Sequence, residues 1–150
     1  MKDATNDTLI WQGVRYRTIL ATDDTGGAMC IIDSVSPPGS GPPRHVHEAE
    51  DESFVILSGE VLLWIGGETR RLGPGEAAFI PRGVEHTFQP IGETPCRHLV
   101  ILTPGGFEGF FAEMAAGQFS IPVDMPAIEE SAGRHKLRFT GPPLGPEAGQ

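Results

Sequence analysis

Two short blocks of the sequence hold residues able to do chemistry. The first, GSGPPRHVHEAEDESFVILSG, spaces Gly39, His45, His47, Glu52 and Gly59 by five, one, four and six residues. The second, GEAAFIPRGVEH, spaces Gly75, Pro81, Gly83 and His86 by five, one and two, and fifteen residues separate the blocks. Three imidazoles and a carboxylate make a full set of protein ligands for one divalent transition metal, and Fe, Mn, Ni, Co, Cu and Zn all accept such donors. On a six-coordinate metal, four protein ligands leave two positions for a substrate oxygen, a water or dioxygen. Structural zinc sites are usually closed and often rich in thiolate. This thiolate-free set points instead to catalysis or ligand binding.

The elements that must position these residues are short strands. Side chains i and i+2 share one face of a strand, so an extended His45–His47 presents two imidazoles side by side, and Glu52 follows as the next strand begins. Gly59 turns the chain back, and Gly75 and Gly83 bracket a strand and turn that return His86 to the other three. Strands are expected over 8–20 (one or two), 28–36, 53–57, 61–65, 69–72, 77–80, 85–89 and 97–103. They are punctuated by Asp23–Gly27, Gly66-Gly67 and Gly73-Pro74-Gly75. The loop at 37–43, with four prolines and two glycines, suits neither a helix nor a central strand. Short strands this dense imply an all-β antiparallel sandwich or barrel. Beyond Gly106 the pattern changes. Apolar positions 107, 110, 111 and 114 form a helical stripe closed by Gly117. A second short helix is expected over 125–134, with Asp124 as N-cap and Gly133 near its end.

Both blocks, with every spacing given above, match the two motifs of the cupin superfamily, and the chain resembles its single-domain members grouped with quercetin dioxygenase. The second motif usually has Asn four residues after its His, where this chain has Pro90; that position is not a ligand. The resemblance implies a double-stranded β-barrel of jelly-roll type with one or two short C-terminal helices. Chain length points to one domain over 1–150 with its barrel core at about 26–103, and the polar and breaker-rich ends are expected to be loose tails at 1–7 and 140–150. The resemblance further implies that His45, His47, Glu52 and His86 ligate a metal. The expected function is that of a metal-dependent dioxygenase-like enzyme acting on a small enol or phenol, with Glu52 also taking the substrate hydroxyl proton. The alternatives are a non-enzymatic metal or small-molecule binding module and, more weakly, a sugar isomerase or epimerase using Arg44, Arg82 or Arg97 for phosphate. Cupins commonly pair through their sheets, so a homodimer is expected, with LIWQGVRYRTIL as the interface.

The remaining residues carry blander expectations. A net charge of −9 without a basic cluster disfavours nucleic acid and anionic lipid. No apolar run has the length of a membrane span. The N-terminal segment lacks a signal-peptide core, which favours the cytoplasm. Cys30 and Cys96 read as reduced, buried thiols. His98 reads as a satisfied core or rim histidine, and His135, within RHKLR, as solvent-exposed. Glu48, Glu50 and Asp51 read as a solvated loop at the barrel mouth. Phe54, Phe79, Phe88 and Trp64 read as plain core.

Overall fold

The computed structural model describes residues 8–149; the tail expected over residues 1–7 lies outside them. Among the described residues, eleven strands form two sheets. They are β1 (Thr8–Trp11), β2 (Val14–Leu20), β3 (Cys30–Ser36), β4 (Arg44–His47), β5 (Asp51–Ser58), β6 (Glu60–Ile65), β7 (Glu68–Leu72), β8 (Ala77–Ile80), β9 (His86–Ile91), β10 (Cys96–Thr103) and β11 (Leu137–Gly141). Two helices, α1 (Glu108–Gly117) and α2 (Met125–Arg134), lie between β10 and β11. The six-stranded sheet has the order β1-β2-β3-β10-β5-β8 and the five-stranded sheet β11-β4-β9-β6-β7. Each pair of neighbours is antiparallel, giving the expected jelly-roll architecture.

Period-two alternation decides which side chains enter the core. Glu52, Phe54 and Ile56 are the buried residues of β5, and Cys96, His98, Val100 and Leu102 those of β10. Their apolar members meet Val61, Leu63 and Leu72 of the second sheet in one apolar cluster. Cys30 and Cys96 are free and buried in it, as expected. Segment 8–20 forms two strands. Gln12 and Gly13 between them both have positive φ, the requirement of a tight type I′ hairpin. Gly59 is fixed twice over. Its φ is +79°, and a Cβ there would lie 2.5 Å from the Pro95 carbonyl oxygen and 2.8 Å from Cys96 Cα.

Three local expectations need correction. RHKLR reads as a charged, solvent-exposed segment, yet its Leu137 opens β11, which pairs with β4 and sets Leu137 against His47 and Phe139 against His45. The alternation of β11 is real, with Leu137 buried and Arg138 exposed, but the flanking charges hide it. Residues 142–145, expected in a loose tail, are held to the second sheet. Arg44 donates to the Pro142 carbonyl at 2.6 Å, and the Gln89 amide reaches the carbonyls of Leu144 and Gly145. Asp124 stands at the head of α2, but its carboxylate accepts from the Ser120 amide at 2.8 Å rather than capping the helix.

Candidate metal centre

The fold brings His45, His47, Glu52 and His86 together: one donor atom from each lies within 4.8 Å of the others, and all four residues are buried. β4 supplies His45 and His47, β9 sets His86 directly across from His45, and β5 supplies Glu52. The turn before β9 is tied to β4 by the Gly83 amide, which donates to the His47 carbonyl at 2.8 Å. Glu52 Oε2 lies 3.0 Å from His86 Nε2 and 3.1 Å from His47 Nε2. Two metal–ligand bonds of about 2.1 Å at right angles place their donor atoms about 3.0 Å apart. The spacing therefore fits a cluster able to hold a metal.

The outer nitrogens decide the tautomers. His45 Nδ1 faces the Pro43 carbonyl at 2.7 Å and His86 Nδ1 the Val84 carbonyl at 2.9 Å. A carbonyl only accepts, so each Nδ1 is set to donate, which turns each Nε2 toward the cluster, where a metal would take its lone pair. His47 Nδ1 faces Glu50 Oε2 at 3.6 Å. Glu50 is therefore not part of a solvated loop; it is 6% exposed and lies beneath His47. Glu48 and Asp51 do face solvent, paired with Arg138 and Arg82.

Charge in the cluster is balanced without bulk water. Burial lowers His45 to about 3, helped by the neighbouring imidazoles. Burial also opposes charge on His47, but the Glu52 and Glu50 carboxylates outweigh it and raise this imidazole to about 9. Burial alone would raise Glu52; His47 and His86 outweigh it and hold the carboxyl well below its ordinary value. Glu52 is thus an anion at neutral pH.

A cavity of about 340 Å³ reaches the cluster at His45, His47 and Glu52. Its wall is largely aromatic. Phe107 meets the His47 ring edge-to-face at 4.5 Å, and Phe110 and Phe111 continue the wall along α1. The FEGFF stripe therefore closes over the site. Glu108 fixes its start by accepting from the Thr22 amide at 2.8 Å and the Gly106 amide at 3.0 Å. The N-terminal hairpin adds Trp11 and Tyr16, the latter stacked on Phe111 at 4.3 Å.

Of the aromatics expected in the core, Phe54 and Phe88 line this cavity. Phe79 is 59% exposed, and Trp64 lies beneath the Arg44 guanidinium at 4.6 Å. His98 is buried as expected but is only half satisfied: Nε2 meets Ser36 Oγ at 3.1 Å, while Nδ1 has no protein partner among the described residues. His98, Ser34 and Ser36 all line the cavity. Sequence reasoning missed this polar set, whose signal was present in the inward registers of β3 and β10. His135 is largely covered, its Nδ1 at 2.8 Å from the Ser131 carbonyl. Arg82 and Arg97 are engaged by Asp51 and Asp33, and Arg44 by the Pro142 carbonyl. Among the described residues, none of these three arginines lines the cavity.

A family model described as the cupin domain matches residues 34–102, which hold all four cluster residues and the strands that carry them. The chain belongs to the cupin superfamily. This cupin is 27% identical over 111 residues to quercetin 2,3-dioxygenase of Bacillus subtilis, an alignment covering 74% of the chain and 33% of that protein. It spans about a third of the length of the quercetin dioxygenases it matches. Tetracenomycin polyketide synthase protein TcmJ of Streptomyces glaucescens is 27% identical over 94 residues, 62% of this chain and 63% of that one. Among solved structures, the polyketide cyclase RemF of Streptomyces resistomycificus superposes with a TM-score of 0.58 at 28% identity, covering 69% of this chain and 78% of that one. Among the described residues, no helix is long and apolar enough to cross a membrane.

Proposed function

We propose that this cupin holds one divalent transition metal per chain through His45, His47, Glu52 and His86, and that it is a dioxygenase-like enzyme acting on a small enol or phenol. The observation that carries the reading is the junction of four inward donors with an aromatic cavity. The fixed tautomers ready two imidazoles for a metal, and the cavity admits a flat, oxygenated ring. The similar proteins named above act, by their names, on quercetin or in polyketide synthesis, and their likeness supports a ring-bearing substrate.

The metal would supply Lewis acidity and open positions where a substrate oxygen and dioxygen meet. The chain's own groups do the rest. Phe54, Phe88 and Phe107 orient the ring and exclude water. Glu52, charged at neutral pH and facing the cavity, accepts the substrate's hydroxyl proton as it binds. Imidazole and carboxylate suit Fe, Mn, Ni, Co, Cu or Zn alike. The three arginines that the phosphosugar reading would use are engaged by Asp51, Asp33 and the Pro142 carbonyl, which counts against it.

The test is elemental analysis of protein purified without chelator, beside His86→Ala, followed by oxygen uptake with flavonols and other enediol-like compounds. About one metal per chain that is lost in the variant, with oxygen consumed, is the expected result. A metal-free protein that resists reconstitution overturns the reading. Ligand-induced stabilisation without oxygen uptake would assign a binding module instead. The same proposal includes a cytoplasmic homodimer that pairs through the N-terminal hairpin, where β1 is an edge strand and Ile10 and Ile19 are exposed. A monomeric mass in solution would refute the pairing.

A further inference from the structure

The cavity has a second polar end, away from the four donors. Ser34 of β3 and His98 of β10 are direct partners across the antiparallel ladder. Each is 1% exposed, and both line the cavity. Facing pairs hold their Cβ atoms about 5 Å apart, so one small group can touch both side chains. Ser34 Oγ and His98 Nδ1 have no protein partner among the described residues, and buried polar atoms are costly until bonded. The imidazole is held in place rather than loose. Its Nε2 meets Ser36 Oγ, its face stacks on Phe54 at 4.8 Å and 10°, and Phe88 meets it at 5.3 Å.

Burial lowers His98 to about 4, against the pull of the Glu52 and Asp33 carboxylates. It is therefore neutral at neutral pH, with one ring nitrogen donating and the other accepting. Whichever tautomer Ser36 selects, Nδ1 offers one hydrogen bond and the Ser34 hydroxyl can complement it. Such a pair suits an uncharged hydroxyl or ketone and gives an anion no countercharge. Along β10, Leu102 faces Glu52 and His98 lies four residues earlier. At about 3.3 Å per residue, the two backbone positions stand about 13 Å apart along β10, and Phe54, opposite Val100 on β5, lies between them.

We propose that the Ser34–His98 pair is a second, metal-independent anchor, which binds a phenolic hydroxyl or ketone on the far end of a flat aromatic ligand. The claim rests on the reading above only for where the reacting end lies. It defines the substrate class as ring compounds with two remote oxygen functions.

The test titrates 2-naphthol and naphthalene, with and without one hydroxyl, into the 150-residue chain and into Ser34→Ala, His98→Phe and His86→Ala. Binding is read by calorimetry, and metal content is measured on the same samples. The expected result is about a tenfold preference for 2-naphthol in the parent. It falls to about twofold in Ser34→Ala and His98→Phe and persists in His86→Ala. Ser34→Ala removes a single hydroxyl, so the test does not depend on His98→Phe folding. Loss of the preference in His86→Ala, with retention in the other two, would place the hydroxyl at the cluster and overturn the anchor while leaving the metal reading intact. No preference in the parent also overturns the anchor. A parent that stays metal-free after reconstitution, with a preference that depends on Ser34 and His98, supports the anchor and sinks the metal reading.

Discussion

Phe107 joins packing to the chemistry of the site, and its truncation is the sharpest mechanical test. The side chain is 3% exposed and touches the rings of His47, Phe110 and Phe111. A buried aromatic removes about 150–250 Å² from water. At about 25 cal/mol per Å² that corresponds to an upper limit of about 4–6 kcal/mol. One side of this ring faces the cavity, so fewer packing contacts are lost than in a solid core, and Phe107→Ala should cost about 3 kcal/mol. For a domain of this size each kcal/mol moves the Tm by about 2–4 °C, giving a fall of about 6–12 °C. Phe107→Leu keeps most of the apolar volume and should cost about 1 kcal/mol. The second consequence concerns His47, which loses the ring that braces it edge-on. Ligand orientation of this kind is worth about 10–100-fold in metal affinity, so Phe107→Ala should bind metal that much more weakly. Denaturant unfolding of chelated protein and a competitive metal titration read the two effects separately. An unfolding free energy within about 1 kcal/mol of the parent would refute the packing argument. A destabilised variant with unchanged metal affinity would show that Glu50 and Glu52 alone orient His47.

Other expectations follow from the same geometry. Glu52→Gln keeps the shape of the side chain but removes its negative charge. Metal content should survive in large part while oxygen uptake collapses, and full turnover would remove Glu52 as the base. Asp33 is buried and held by two hydrogen bonds from Arg97, which lower its carboxyl against the opposing effect of burial. A lowered folded pKa gives stability that is present above the unfolded value of about 3.9 and is lost as pH falls through the folded one. Asp33→Asn should therefore be about 1–3 kcal/mol less stable at pH 7, with the gap closing below about pH 4; a gap that stays constant down to pH 2 in denaturation curves contradicts this. Gly59→Ala combines a positive φ with a backbone clash and should cost more than about 3 kcal/mol; near-parent stability by thermal unfolding would refute that.

How much was legible in the sequence differs between elements for physical reasons. Strand positions and the four-donor set are set locally, because glycine and proline punctuate the chain and alternation fixes faces. The spacing from His45 to His86 therefore foretold a cluster that the two sheets assemble. β11 was obscured because its outward Arg138 and the neighbouring Arg134, His135 and Lys136 mask two inward apolar residues. Its role exists only through pairing with β4, ninety residues earlier in the chain at Leu137 and His47.

The sequence by itself determined an all-β architecture, the donor types and their spacing. It did so because strand periodicity, turn chemistry and ligand preference act over a few residues. Only the tertiary structure decided which polar groups lost water. Glu50 reads as one more surface carboxylate until the turn folds it beneath His47. His98 reads as a satisfied core histidine, and nothing in the sequence singles out Ser34, until β3 and β10 pair and bring them to one cavity. Desolvation depends on every element packed around a group, so residue type at a position cannot carry it, and in this protein desolvation separates the polar residues gathered around the cavity from those left at the surface.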